Sequence, residues 1–342
     1  MRVLVTGNLG YIGSVLTELL SQQGYDVVGL DTDYYGECGL EPLDHCLQQI
    51  TKDIRDVGHA DVEGFDAVIH LPALSNDPLG DLAPGLTEEI NFDSTLRFAE
   101  LAKSVGVERF VFASTQSMYG VSHSAEELDE DESEKQPVTA YAKTKWIAET
   151  QLRSMADQDF TVVCFRPSTV FGVSPRLRCD IVFNNLVACA YTTGRVEVKS
   201  DGTAWRPIVH VKDVSQAFIA GLEASPEELA GQAFNVGLRN GNFTVREMAE
   251  AAQRAVPGCE LVFTNEHIDP RTYRVNFERI LSDLAAYYKP EWGLDQGGRE
   301  LVEFFDRVGF TETDFRGPRC TRLGQINALL ASGRLDDDLR WR

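Results

Sequence analysis

An apolar run, Val3 to Val5, breaks off at Thr6-Gly7-Asn8-Leu9-Gly10-Tyr11-Ile12-Gly13, and no other stretch constrains the chain as much. A buried strand that stops at glycines spaced three and three, with a helical pattern beginning at Tyr11, has a physical reason for each glycine. Gly7 permits a tight turn, Gly10 lets the backbone approach a pyrophosphate, and Gly13 lets the new helix lie close on the strand. The free N–H groups and positive dipole end of that helix then face the pyrophosphate. The helix is expected from Tyr11 to about Gln23, followed by a second strand, Val27 to Leu30, ending in Asp31. An acid at that distance meets the adenosine ribose hydroxyls and repels a 2′-phosphate. No Arg or Lys lies between Asp31 and Thr51 to offset that repulsion, so the stretch selects NAD over NADP.

The remaining 342-residue chain has room for a nucleotide domain and a smaller appendage. Its formal net charge of −21 argues against nucleic acid or an anionic membrane as a partner, because phosphates are repelled overall. An anionic substrate must therefore meet local arginines set against that field. No apolar run reaches the ~20 residues that span a bilayer, and a strand beginning at residue 2 leaves no room for a cleavable signal. The seven cysteines, Cys38, Cys46, Cys164, Cys179, Cys189, Cys259 and Cys320, form no CxxC pair. They read as reduced thiols of a cytoplasmic protein with no metal site.

Strands and helices then alternate. A short strand and turn are expected at Thr51 to Asp56 and strands at Ala67 to Leu71, Phe110 to Ala113 and Thr161 to Phe165, with helices at Thr87 to Val105 and from about Ala140 to Ala156. This order gives an α/β fold, a Rossmann-like doubly wound parallel sheet. Beyond Arg166 the alternation loosens into helices at Asp180 to Gly194, Asp213 to Ala224, Val245 to Val256 and Asp295 to Val308. Strands are expected at Val196 to Lys199, Pro207 to Val211 and Ala233 to Gly237, and a polar C-terminal arm closes the chain. Residues 1–165, with returning segments at about 207–237, are read as the dinucleotide domain. Residues 166–206 and 238–342 form a smaller, interleaved substrate-binding lobe.

Chemistry in such sheets gathers at the carboxyl ends of the strands. Tyr141 and Lys145, in Tyr141-Ala142-Lys143-Thr144-Lys145, stand one helical turn apart on one face. An ammonium beside a phenol favours the phenolate and makes it a general base near neutral pH. Thr115, at the end of a neighbouring strand, is placed to donate a hydrogen bond to the same substrate oxygen. The set describes oxidation of an alcohol, with the tyrosine taking the hydroxyl proton.

Together, TGNLGYIG, Asp31, Asp53-Ile54, HLPA at His70 to Ala73, Asn91, STQSMYG, YAKTK, RPSTVFG at Arg166 to Gly172 and WRPIVHVKDV at Trp205 to Val214 resemble the extended short-chain dehydrogenase/reductases. Within them the chain is most similar to the NAD-dependent epimerases and dehydratases of nucleotide sugars, typified by UDP-glucose 4-epimerase. The resemblance implies that Thr115, Tyr141 and Lys145 are catalytic, with Lys145 also reaching the nicotinamide ribose. It implies that Asp53 and Ile54 flank the adenine, and that Tyr11, Ile12, Leu71, Pro72, Ala73 and Pro167 line the cofactor. Ser75, Gln116, Asn185 and Arg206 would meet the substrate, a nucleotide-diphosphate sugar, with Arg271 a weaker match to a phosphate-binding arginine. The plainer reading of Arg206 and Arg271 is a surface ion pair. His70 and His210 read as packed strand residues, and Asn91 as a brace for the active-site loop. A homodimer through the Glu88–Val105 and Ala140–Ala156 helices is also implied.

Two departures from the family pattern stand out. Gln116 and Ser117 follow Thr115 where dehydratases carry an acid, which disfavours 4,6-dehydration. Pro72 replaces a small residue and removes an N–H beside the cofactor. The expected function is epimerisation of a nucleotide-diphosphate sugar through a keto-sugar. The competing readings are a keto-sugar reductase, a dehydratase and a non-catalytic NAD-binding sensor.

Overall fold

The computed structural model describes residues 1–43, 47–75, 80, 83–122, 126–266 and 272–342. Cys46 and Arg271 lie outside them. The large sheet contains β1 (Arg2–Thr6), β2 (Asp26–Asp31), β3 (Gln48–Thr51), β4 (Ala67–His70), β5 (Arg109–Ala113), β6 (Thr161–Pro167) and, returning from far along the chain, β10 (Gln232–Val236). Their spatial order is β10-β6-β5-β4-β1-β2-β3, and every pair is parallel. The order reverses between β1 and β4. Chain leaving β1 turns one way to β2, chain entering β4 turns the other, and a crevice opens at the carboxyl ends where the two diverge.

The central strands are apolar runs because helices cover both faces. On one face α1 (Tyr11–Gln22) packs with α5 (Val211–Glu223), burying Val15, Leu16 and Leu20 against Val3 and Val5. On the other, α2 (Ser94–Ser104) and α3 (Ala140–Ser154) bury Phe98, Ala99, Ala148 and Leu152 against Val68, Phe110 and Val162. The helix expected from Thr87 is helical throughout but contains a π turn at Glu89–Asp93. That turn widens the helix at Asn91, which is fully buried. Its Oδ1 accepts the Leu74 N–H at 2.8 Å and its amide nitrogen reaches Thr144 Oγ1 at 3.5 Å, so Asn91 braces the loop after β4 as expected.

Three expectations are corrected. The third strand runs over Gln48–Thr51, earlier than expected, while the turn expected after it is present as a 3₁₀ turn at Ile54–Asp56. The strand is an edge with mostly exposed side chains, so it carries no apolar signature. Second, β9 (Trp205–His210) does not return to the large sheet. It pairs with β7 (Thr169–Phe171) and β11 (Asn242–Thr244) in a sheet of three. Nearby, β8 (Arg195–Val198) and β12 (Glu260–Phe263) form a sheet of two, with α4 (Val182–Thr193) packed on β8. Only α5 and β10 make the return. His210 ends β9 and caps α5, accepting the Lys212 N–H at 3.3 Å, and its ring bonds Glu300 at 2.9 Å. Third, the polar C-terminal arm is a built element. It buries Phe310, Phe315, Cys320, Ile326, Leu329, Leu335 and Leu339, and the last four join the core formed by Leu4, Val28 and Leu30. From Ile326 onward the arm therefore packs on the large sheet, while Phe310, Phe315 and Cys320 belong to the other core, with Phe183 and Leu186 of α4.

Candidate functional site

At the switch point the Gly7 backbone has φ +76°, and a Cβ there would come within 3.0 Å of Pro72 N. The ladder bond at that strand end is donated by Leu71 N–H to Thr6 O at 3.1 Å, so Pro72 removes none from the β1–β4 pairing. Gly13 is the tightest position. A Cβ on it would sit 2.2 Å from Gly7 O and 2.6 Å from Asn8 Cα. Gly10 serves as the N-cap of α1 without a side-chain cap, and no acid stands in the first turn, which leaves the helix's positive end open to an anion. Gly13→Ala is expected to push the turn off the helix, costing about 1–3 kcal/mol by overpacking and weakening NAD affinity more than tenfold; calorimetric titration and thermal melts check both.

At the end of β2, the Asp31 carboxylate accepts the Asp33 N–H at 2.8 Å and the Leu9 N–H at 3.1 Å. Burial outweighs these two bonds and pushes its pKa up to about 6. A half-buried carboxylate with two donors and room for more suits a pair of ribose hydroxyls, and this together with the Gly7–Gly13 cradle fits a dinucleotide. Asp53 lines the same cleft, but its carboxylate is engaged by Arg55 at 2.7 Å.

The cleft occupies about 1070 Å³ along the carboxyl edge of the sheet. From the glycine turn and Asp31 it passes Ile54, then Leu71 to Ala73 and Ser75, and reaches Thr115, Tyr141, Lys145 and Pro167. Gln116, Asn185 and Arg206 line it as well. Every expected site residue among those described lines this one space. Arg271 lies outside the described residues.

Thr139 starts α3 by accepting the Ala142 N–H at 3.2 Å, which puts Tyr141 in the first turn at the cleft and Lys145 one turn deeper. Lys145 is 2% exposed. Its Nζ donates to Ala113 O at 2.8 Å and lies 4.5 Å from the centre of the Phe112 ring. Burial lowers its pKa to about 7. Thr115 Oγ1 accepts the Ser117 N–H at 3.1 Å, which fixes the hydroxyl at the end of β5.

The Lys145 shift has a measurable sign. The unfolded side chain titrates near 10.4, so between about pH 7 and pH 10 the unfolded chain binds the extra proton. Stability of the cofactor-free protein should therefore rise with pH across that window, and the penalty for the buried charge is full below about pH 7. In Lys145→Met this slope should flatten and stability at pH 6 should increase, as measured by denaturant unfolding at several pH values.

Beside Tyr141, Lys145 and Thr115 lies a network that the sequence reading did not identify. Glu149, one further turn along the Tyr141–Lys145 face, accepts Ser114 Oγ–H at 2.6 Å and the Arg166 guanidinium at 2.5 and 3.1 Å, with both charged side chains fully buried. Arg166 also donates to Tyr119 Oη at 2.9 Å and Glu130 O at 3.1 Å. A third member of the i, i+4 row with an arginine at the next strand end was the available signal. Gln116 is tied at both ends, donating to Arg166 O at 2.9 Å and accepting from Ser168 Oγ at 3.2 Å.

Asn185 donates to Cys179 O at 2.8 Å and Arg206 to Trp205 O at 2.8 Å. Arg178, also missed, forks onto Asp180 at 2.8 and 3.0 Å and donates to Ser75 Oγ at 3.2 Å. Among the described residues no group of three or more His, Cys, Asp or Glu side chains is placed to hold a metal ion, and no helix is long and apolar enough to cross a membrane.

Residues 3–237 match the model of the NAD dependent epimerase/dehydratase family. The UDP-glucose 4-epimerase of Mycolicibacterium smegmatis is 31% identical over 326 residues, covering 89% of this chain and 98% of that protein. The dTDP-D-glucose 4,6-dehydratase of Mus musculus is 28% identical, covering 89% and 88% respectively. Among solved structures, the UDP-glucose 4-epimerase of Thermus thermophilus in complex with NAD superposes with a TM-score of 0.72 at 26% identity, over 90% of this chain and 99% of that one.

Proposed function

For a chain that belongs to the NAD-dependent epimerase/dehydratase family, we propose the epimerisation of a nucleotide-diphosphate sugar through a keto-sugar intermediate. The observation that carries this reading is a single cleft shared by Thr115, Tyr141, Lys145, the Gly7–Gly13 turn, Asp31 and Arg206. The fixed, neutral Gln116 stands where dehydration needs an acid.

Gly7, Gly10, Tyr11, Ile12, Gly13 and Asp31 would hold NAD, with Asp53, Ile54, Leu71, Pro72, Ala73 and Pro167 walling it. When bound, NAD supplies a reversible hydride acceptor, so a sugar carbon can be oxidised and reduced again without net redox change. Tyr141 takes the proton from the sugar hydroxyl and gives it back. Lys145, charged next to the developing phenolate, lowers the cost of that transfer, and the Thr115 hydroxyl donates to the same oxygen. Ser75, Gln116, Asn185 and Arg206 hold the substrate, an Arg fork being suited to a diphosphate.

Two further readings belong to the proposal: a homodimer through the Glu88–Val105 and Ala140–Ala156 helices, supported by the exposed Ile147 on α3, and action in the cytoplasm. Incubating the purified enzyme and NAD with UDP-, dTDP-, GDP- and CDP-sugars tests the chemistry. The proposal expects one epimer to accumulate with no net NADH formed. Stoichiometric loss of the NADH band on adding a keto-sugar would favour a reductase, and release of water with a 4-keto-6-deoxy product a dehydratase.

A further inference from the structure

The C-terminal arm is fastened to the two loops that wall the adenosine side of the cleft. Tyr34 Oη–H donates to Leu339 O at 2.5 Å, Trp341 Nε1–H to Thr32 O at 2.6 Å, Gln325 Nε2–H to Tyr34 O at 3.3 Å and Arg55 to Asp338 O at 2.9 Å. Near its start, Cys320 O accepts the Cys179 N–H at 2.8 Å. Two residues later the arm delivers Arg322 into the cleft wall.

Arg322 is 2% exposed and lines the cleft. Its guanidinium lies 4.3 Å from the centre of the Tyr35 ring, and Nη2 donates to Arg176 O at 2.7 Å. Among the described residues, Nη1 has no hydrogen-bond partner, and neither has Nε of the adjacent Arg176. Arg178, which also lines the cleft, already holds Asp180. Three guanidinium groups thus stand in a buried region whose nearby carboxylates are Asp180, Asp33 and Asp31, and Asp33 Oδ1 likewise has no hydrogen-bond partner among the described residues. A buried guanidinium nitrogen without an acceptor is costly, and Arg322 Nη1 is such a nitrogen at the wall of the cleft.

We infer that Arg322, supported by Arg178, is a binding residue for the diphosphate of the dinucleotide, so that the C-terminal arm completes the cofactor site. Position favours this diphosphate over that of the sugar nucleotide. Tyr35 follows the ribose-binding Asp31 by four residues, and the diphosphate is the next group along the dinucleotide from that ribose, whereas Arg206 stands on β9 of the small sheet. The inference rests on the dinucleotide assignment of the cleft and not on which sugar reaction follows.

Calorimetric titrations of cofactor-stripped protein with ADP-ribose, adenosine and UDP test it, with Arg322→Met and Arg322→Lys beside the wild type. ADP-ribose should bind Arg322→Met about tenfold to a hundredfold more weakly, while adenosine and UDP affinities hold and Arg322→Lys recovers part of the loss. The cofactor-free melting temperature of Arg322→Met should not fall, since a buried, under-paired charge is removed. Unchanged ADP-ribose affinity would overturn the inference, as would a loss confined to UDP. So would an Arg322→Met protein that melts lower without ligand and binds ADP-ribose and adenosine in the wild-type ratio. If Arg322→Met does not fold, the same ratio measured on Arg322→Lys decides: a reduced ratio supports the inference, an unchanged one overturns it. Wild type that ignores ADP-ribose would instead overturn the cleft assignment itself.

Discussion

Tyr141→Phe is expected to lower turnover by about 10²–10⁴-fold, the usual weight of a positioned proton-transfer group, while NAD affinity and melting temperature stay near wild type. The phenol oxygen is the only atom removed. Tyr141 lies in the first turn of α3, its side chain half-buried at the cleft, so the ring can remain in place without its hydroxyl. The loss should appear in kcat rather than in KM, because the proton moves only as the carbinol is oxidised. A variant that keeps full turnover would remove Tyr141 from the chemistry and leave Lys145 and Thr115 without a partner.

The largest effect on stability is expected at Arg166. Its guanidinium is fully buried and forks onto Glu149. Arg166→Met removes that cation and strands the carboxylate, and breaking a buried pair from one side costs about 3–5 kcal/mol. Adding Glu149→Gln in the same chain removes the stranded charge and should recover a substantial part. Denaturant unfolding of the single and double variants measures this coupling, and a purely additive result would show that the two side chains are not interacting. Because Ser114 Oγ–H also donates to Glu149 and Thr115 follows directly, the single variant should loosen the β5 end and lower kcat as well.

What was legible in the sequence was whatever has a local cause. The glycine turn, Asp31 and the central strands follow from steric need and apolar runs, and the Tyr141–Lys145 pair follows from helical periodicity. The residues that escaped notice are held together by distant chain. Arg178 sits in a loop without periodicity and gains meaning only when Ser75, over a hundred residues away, meets it at 3.2 Å. Arg322 opens a helix whose Leu323, Ile326 and Leu329 recur at helical spacing, but nothing local says that this helix reaches the cleft. Gln48–Thr51 is an edge strand with little apolar content, and β9 was misplaced because its apolar pattern serves a small sheet as well as a large one. Lys145 shows the reverse: its position was legible, but the lowering of its pKa to about 7 by burial required knowing the residues packed around it.

The central claim is that a sugar carbon loses its hydrogen as hydride within the cleft and regains the same one. It is tested most directly with a nucleotide sugar deuterated at every ring carbon, incubated with the NAD-loaded enzyme in ordinary water, with the product read by NMR and mass spectrometry. An epimer that retains every deuterium is the predicted result; an epimer that has taken up hydrogen from water at the inverted carbon would contradict it.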